Sequence, residues 1–186
     1  IRQSKNGESF EALDEKKYNI PSNACLITDE KKILGLGGII GGQSSAINLN
    51  TKNIVLEAAA FDPVKIAKVS KQLGIITDAK FRFERGVDPN SIESGLKLAA
   101  KLIQEICGGK ISKINIIGDQ KFIKRKVKFD INNFKKLIGF SVSSKDCQKI
   151  LGTLGFKIKV KKQVLDIDVP SWRPDVNQEA DIIEEI

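Results

Sequence analysis

With 186 residues, 41% of them apolar, and a formal net charge of +8, the chain can form one large domain or two small ones, each burying a core. Histidine is absent and the three cysteines, Cys25, Cys107 and Cys147, lie far apart, which excludes Ser-His-Asp or Cys-His catalysis by this chain alone and argues against a zinc site or disulfide framework. No apolar run approaches the ~20 residues of a membrane span and no signal-peptide pattern opens the chain, so a soluble, cytoplasmic protein is expected.

The absence of methionine makes the chain a piece of a longer polypeptide. Its positive charge suits a nucleic acid or another acidic partner. Only five of the 31 basic residues are arginine, however, the type that grips phosphate in bidentate fashion. An excess of lysine fits a solvated surface equally well.

Residues 1–34 alternate charged stretches with short apolar runs, and Asp29-Glu30-Lys31-Lys32 reads as a hairpin turn between two strands. Five glycines between Gly35 and Gly42 allow positive φ and close approach of another group, or a tight bend in a sheet. Ile54 to Phe61 reads as a short buried strand. Asp62-Pro63 is an N-cap and first helical position, and Val64, Ala67, Val69 and Leu73 form an apolar stripe that stops at Gly74. The non-periodic stretch from Gly74 to Asp88 reads as a loop carrying a site. Asp88-Pro89-Asn90 then starts a second helix, with Ile92, Leu96, Ala99, Leu102, Ile103 and Ile106 on one face and Gly108 beyond its end. Ile111 to Ile117 reads as a strand that closes this unit near residue 118.

A polar segment, 119–126, is the expected boundary. Beyond it come a strand at 127–129, a helix at 131–138 stopped by Gly139, a helix capped by Ser143-Ser144 and stopped by Gly155, and a hairpin at 156–169. Strand, helix, helix, hairpin is the order of a small winged-helix-like module. The fold class expected is α+β, a mixed-sheet domain over 1–118, a linker over 119–126, a winged-helix-like α+β domain over 127–174, and an acidic helix over 175–186.

Three groups of residues could carry chemistry. Glu57 ends an apolar run, so strand alternation either turns it outward or holds it in a pocket, where a bare acid would cost several kcal/mol without a hydrogen-bond partner. Thr77, Asp78 and Ala79 offer a hydroxyl, an acid and a small side chain to a ligand, while Arg82, Glu84 and Arg85 suit a structural ion-pair ladder at alternate positions. Asp181, Glu184 and Glu185 share one face if 178–186 is helical, and Asp175 arrives from the preceding loop. Such a face could hold magnesium, or the acids could simply favour a helix start.

Gly-Gly-Ile-Ile-Gly-Gly, Val-Leu-Glu-Ala-Ala-Ala-Phe-Asp-Pro, Thr-Asp-Ala-Lys-Phe-Arg-Phe-Glu-Arg-Gly-Val-Asp and Ile-Cys-Gly-Gly-Lys follow one another along the chain. Pro-Ser-Trp-Arg-Pro-Asp and Ala-Asp-Ile-Ile-Glu-Glu-Ile complete the series. In these motifs and their order the chain resembles the beta subunits of bacterial phenylalanine–tRNA ligases over essentially its whole length. The resemblance implies that 1–118 is most of an editing domain, lacking its start, that removes tyrosine wrongly attached to phenylalanine tRNA. It implies an inward Glu57 that meets the tyrosine phenol, Gly38 and Gly41 as pocket wall, Thr77 and Ala79 as residues whose size controls entry, and backbone donors from the glycine turn for the oxyanion. The family's editing histidine belongs to a segment ahead of Ile1.

The same resemblance implies that Asp175, Asp181, Glu184 and Glu185 are Mg2+ ligands shared with an alpha subunit, in an assembly of two alpha and two beta chains. ATP and phenylalanine activation belong to that alpha subunit, and this segment alone is expected to be inactive in aminoacylation. The winged-helix-like domain is expected to be structural, with nucleic-acid contact left open. The alternative is a non-catalytic, tRNA-binding and structural module.

Overall fold

Polar turns divide the start of the chain into strands too short to stand alone. In the computed structural model, which describes residues 1–118 and 124–186, these are β1 (Arg2–Gln3), β2 (Ser9–Glu11), β3 (Lys17–Asn19), β4 (Cys25–Thr28), β5 (Ile33–Leu36) and β6 (Ile40–Gly41). The turn expected at 29–32 forms because the Asp29 carboxylate accepts the Lys31 and Lys32 N–H groups at 2.8 and 2.7 Å. The strands pair antiparallel in the order β1-β4-β5-β6, beside a separate β2-β3 hairpin.

Helices α1 (Pro63–Leu73), α2 (Asp78–Phe83) and α3 (Ile92–Cys107) follow. At α1 the Asp62 side chain accepts from Val64 and Lys65 N–H, and Gly74 closes the helix at φ 67°, a left-handed conformation. Phe10, Ala12, Leu26, Leu36, Ile39 and Ile66 are among the buried side chains of this unit's core. The buried Ser4 is satisfied, since its hydroxyl donates to Pro21 O and accepts from Ala24 N–H.

The second unit, which includes residues 113–186, has the expected order of β7 (Lys126–Asp130), α4 (Ile131–Ile138), α5 (Ser144–Thr153), β8 (Lys157–Lys161) and β9 (Val164–Asp168), with α6 (Glu179–Glu185) at its end. β9 lies between β7 and β8, antiparallel to both. Alternation sends Val127, Phe129, Leu165 and Ile167 into the core with Leu151, Phe156, Val176 and Ile182. Along the polar face, Asp166 and Asp168 on the central strand sit between Lys126 and Lys128 on one side and Lys157 and Lys159 on the other. Glu179 ties α6 down by accepting from Asp130 N–H at 2.7 Å and from the Asn133 side chain.

The α+β class expected from the sequence holds, with antiparallel rather than mixed sheets among the described residues. Two expected strands are corrected. Residues 54–61 and 111–117 have no regular structure, and Val55 and Ile117 are 98% and 94% exposed. No neighbouring strand among the described residues reaches either run, so their β-branched side chains have nothing to pack on. Helix α3 forms where expected, but none of its residues is buried and Leu102 and Ile106 are exposed. Of the expected linker, residues 119–123 lie outside the described residues, and Lys126 already belongs to β7.

Candidate functional site

The glycine-rich bend between β5 and β6 is tight because its own amides are engaged. Gly37 N–H donates to Cys25 O at 2.9 Å, Ile39 N–H to Leu36 O at 3.0 Å and Gly42 N–H to Leu34 O at 2.7 Å. Gly38 takes a positive φ of 70°. A Cβ at Gly37 would stand 2.7 Å from Phe61 Cε1 and 3.1 Å from Cys25 Sγ, and one at Gly38 would stand 2.8 Å from Phe61 Cδ2 and 3.0 Å from Ile66 Cδ1. The two glycines therefore form a notch filled by the Phe61 ring. From its other side that ring meets Phe83 edge-on at 5.1 Å. Gly41 lies apart from the notch, with Leu13 Cδ1 2.9 Å from where its Cβ would be.

Sequence reasoning singled out the glycines and missed the ring. A signal was present, however, because Phe61 immediately precedes the Asp62 cap and Ile66 falls four positions into the helix. That is the spacing of a hydrophobic staple, and both side chains converge on Gly38.

The stretch from Gly74 to Asp88 is not the loop expected, since α2 occupies its centre. Thr77 is the N-cap, accepting Lys80 N–H at 3.1 Å, and its hydroxyl donates to Ile39 O at 2.6 Å. The residue expected to control entry thus bonds the glycine bend to α2. Ala79 lies half-buried in the helix's first turn. The ion-pair ladder at alternate positions is replaced by helical neighbours. Glu84 pairs with Lys80 at 2.9 Å and with Arg85 at 3.1 Å, and Arg85 stacks 3.7 Å over the Phe81 ring. Lys80, before any other neighbour, holds the Glu84 carboxyl below its ordinary pKa.

Glu57 stands in the irregular segment ahead of Phe61 and is exposed, not turned inward. Protein mass on one side of its carboxyl nevertheless raises its pKa by desolvation. The Cys25 thiol is pushed up by burial and secondarily by Glu57, so the acid acts on the sulfur that borders Gly37. Of the five positions expected at this site, Gly38 and Thr77 lie at the bend, Gly41 faces Leu13, Ala79 sits in α2, and Glu57 stands in the irregular segment ahead of Phe61.

The acid cluster is organised by an arginine. Arg173 donates to Asp175 at 2.6 and 3.0 Å and also pairs with Glu185. Both carboxyls are held below the ordinary range, first of all by Arg173. Asp181 accepts Asn177 and Gln178 N–H at 2.8 and 3.0 Å in a capping box that starts α6, while Glu184 is exposed. Among the described residues no group of three or more such side chains is arranged to hold a metal. Of the carboxylates expected for magnesium, Asp175 and Glu185 are engaged by a guanidinium and Asp181 by backbone amides, which leaves Glu184 alone facing solvent, so the four as they stand are not gathered around an ion.

Residues 1–108 match the B3/4 domain family, and residues 127–186 match the tRNA synthetase B5 domain. Over all 186 residues the chain is 37% identical to the phenylalanine–tRNA ligase beta subunit of Mesorhizobium japonicum, and 40% identical to that of Rhodopseudomonas palustris. In each case the match covers 100% of this chain and 23% of the relative, so the chain spans less than a quarter of the curated relatives' length. A crystal structure of an N-terminal fragment of the phenylalanyl-tRNA synthetase beta-subunit from Pyrococcus horikoshii gives a TM-score of 0.32 at 16% identity, covering 34% of this chain and 18% of that one.

Proposed function

The chain belongs to the B3/4 domain family and continues into a tRNA synthetase B5 domain, and on that premise we propose that it is the hydrolytic editing segment of a phenylalanine–tRNA ligase beta subunit. Its substrate is tyrosine wrongly esterified to phenylalanine tRNA. An apolar pocket that selects phenylalanine rejects an added hydroxyl only weakly, whereas a second site built to bond that hydroxyl rejects phenylalanine strongly. The observation that carries the reading is the glycine bend that Thr77 bonds to α2, its notch filled by Phe61 four residues after Glu57, whose carboxyl is raised in pKa by desolvation. A carboxyl in that state can exchange a hydrogen bond with a phenol while remaining exposed enough to receive one.

In this reading Glu57 binds the phenol, the bend and Thr77 fix the backbone around it, and a positioned water attacks the ester carbonyl. The Gly37, Ile39 and Gly42 amides already donate within the bend, so an oxyanion would have to be met by other donors. The partner is the alpha subunit, in a cytoplasmic assembly of two alpha and two beta chains. ATP and phenylalanine activation are assigned to that partner, and any Mg2+ shared with it would have to release Asp175, Asp181 and Glu185 from their present bonds. Among the described residues no helix is long and apolar enough to cross a membrane.

The test is deacylation of tyrosyl- and phenylalanyl-tRNA by the full-length beta subunit in complex with its alpha partner. Glu57→Ala is expected to lower the preference for the tyrosyl ester by tenfold or more, with phenylalanine charging unchanged. Wild-type preference in that variant would overturn the reading.

A further inference from the structure

We propose that Phe61 is the positioning residue of Glu57, its ring seated in the Gly37–Gly38 notch as the fixed point that limits where the Glu57 segment can reach. The inference rests on the editing reading above and names the group that makes Glu57 effective.

The segment from 46 to 61 has no regular structure. Among the described residues, its internal bonds join Asn48, Asn50 and Thr51, and no hydrogen bond or ion pair ties 52–61 to the rest of the unit. Ile47, Leu49 and Val55 point to solvent. Phe61 is the side chain of this segment that joins the hydrophobic core.

Its seat is built from several elements. Gly37 and Gly38 leave room for the ring that any Cβ would take, Ile66 borders Gly38, and Phe83 meets the ring edge-on. Glu57 is four residues upstream, so roughly 13 Å of extended chain at most separates it from this anchor. With no ladder of backbone bonds to hold the segment, the place of the carboxyl depends on that tether. Cys25 borders the same notch, which puts anchor, bend and the sulfur that feels Glu57 in one neighbourhood.

Two variants reach the tether from opposite sides. Phe61→Ala removes the ring and Gly37→Ala fills its seat, since the new methyl would lie 2.7 Å from Phe61 Cε1 and expel a ring that is itself intact. In the full-length beta subunit with its alpha partner, both are expected to lower the tyrosyl-over-phenylalanyl deacylation preference by about tenfold. Charging with phenylalanine stays at the wild-type rate, which shows that the assembly is folded. Phe61→Leu, which keeps an apolar plug, retains most of the preference, and combined with Gly37→Ala it restores part of what Gly37→Ala loses.

Glu57→Ala measured alongside separates the two ideas. If it keeps wild-type preference, the editing reading itself fails. If it loses preference while Phe61→Ala and Gly37→Ala keep theirs, the reading stands and the tether is overturned. Loss in Phe61→Ala but not in Gly37→Ala would overturn the notch as the seat.

Discussion

The two units contain apolar, β-branched runs of the same kind and treat them differently. Lys126–Asp130 and Lys157–Lys161 become strands, and Val127 and Phe129 are buried, because Val164–Asp168 runs between them and supplies backbone partners on both sides. Ile54-Val55-Leu56 of the first unit is as apolar in sequence and forms no strand, and Val55 is almost fully exposed. The difference teaches that such a run specifies a willingness to pair, and that the partner decides. Helix α3 shows the contrast with helices, whose hydrogen bonds are internal. It forms over its full expected length although none of its residues is buried.

The largest effect expected from this contrast lies in the closed core. Leu165→Ala removes a fully buried side chain from the central strand and should cost about 2–5 kcal/mol. Trp172 is the sole tryptophan of the chain and belongs to the same unit, so denaturant unfolding followed by its fluorescence reads this loss directly. A cost below about 1 kcal/mol would mean that the sheet tolerates a cavity at its centre.

An intermediate effect is expected at Arg173, which joins Asp175 to Glu185 on the same unit. Arg173→Ala should cost about 1–2 kcal/mol near neutral pH, because it leaves two carboxylates facing each other without their cation. Both carboxyls have folded pKa values below their unfolded ones, so the stabilisation is full above about pH 4–5 and is lost as pH falls through the depressed values. The gap between wild type and Arg173→Ala should therefore be flat from neutrality to about pH 5 and close below pH 4. A gap that widens on acidification would contradict the pairing.

The smallest effect belongs to the open region. Val55→Ala is expected to change stability by less than about 0.5 kcal/mol, measured by circular dichroism during thermal unfolding. A loss comparable to that of Leu165→Ala would show that the run is covered in solution and would break the comparison between the units.

What was legible in the sequence was mostly local. The Asp62 and Ser143 caps, the stops at Gly74 and Gly139 and the Asp29 turn all depend on groups within a few residues of one another, and all form as expected. The short helix at 78–83 was hidden because Thr77 was weighed as a ligand-facing hydroxyl rather than as a cap. The bond from Thr77 to Ile39, the Phe61 ring on Gly37 and the Arg173 bridge to Glu185 join residues between 12 and 38 positions apart. No periodicity encodes such meetings. Glycine signalled that something approaches the backbone closely, without saying whether it would be a ligand or the protein's own phenylalanine.

The lysines of the second unit's sheet also acquire a meaning that the net charge alone could not supply. They stand on β7 and β8, the two outer strands of this sheet among the described residues, and an outer strand is the place where a further strand could add. The central strand carries Asp166 and Asp168, and ion pairs at 3.5 and 2.7 Å link these to Lys126 and Lys161, while Asp130 at the end of β7 is taken up in capping α4. A second copy approaching edge to edge would bring ammonium against ammonium along most of each outer strand. The arrangement lets the sheet neutralise itself across its width while repelling its own kind at its margins, which keeps it three strands wide in a crowded solution.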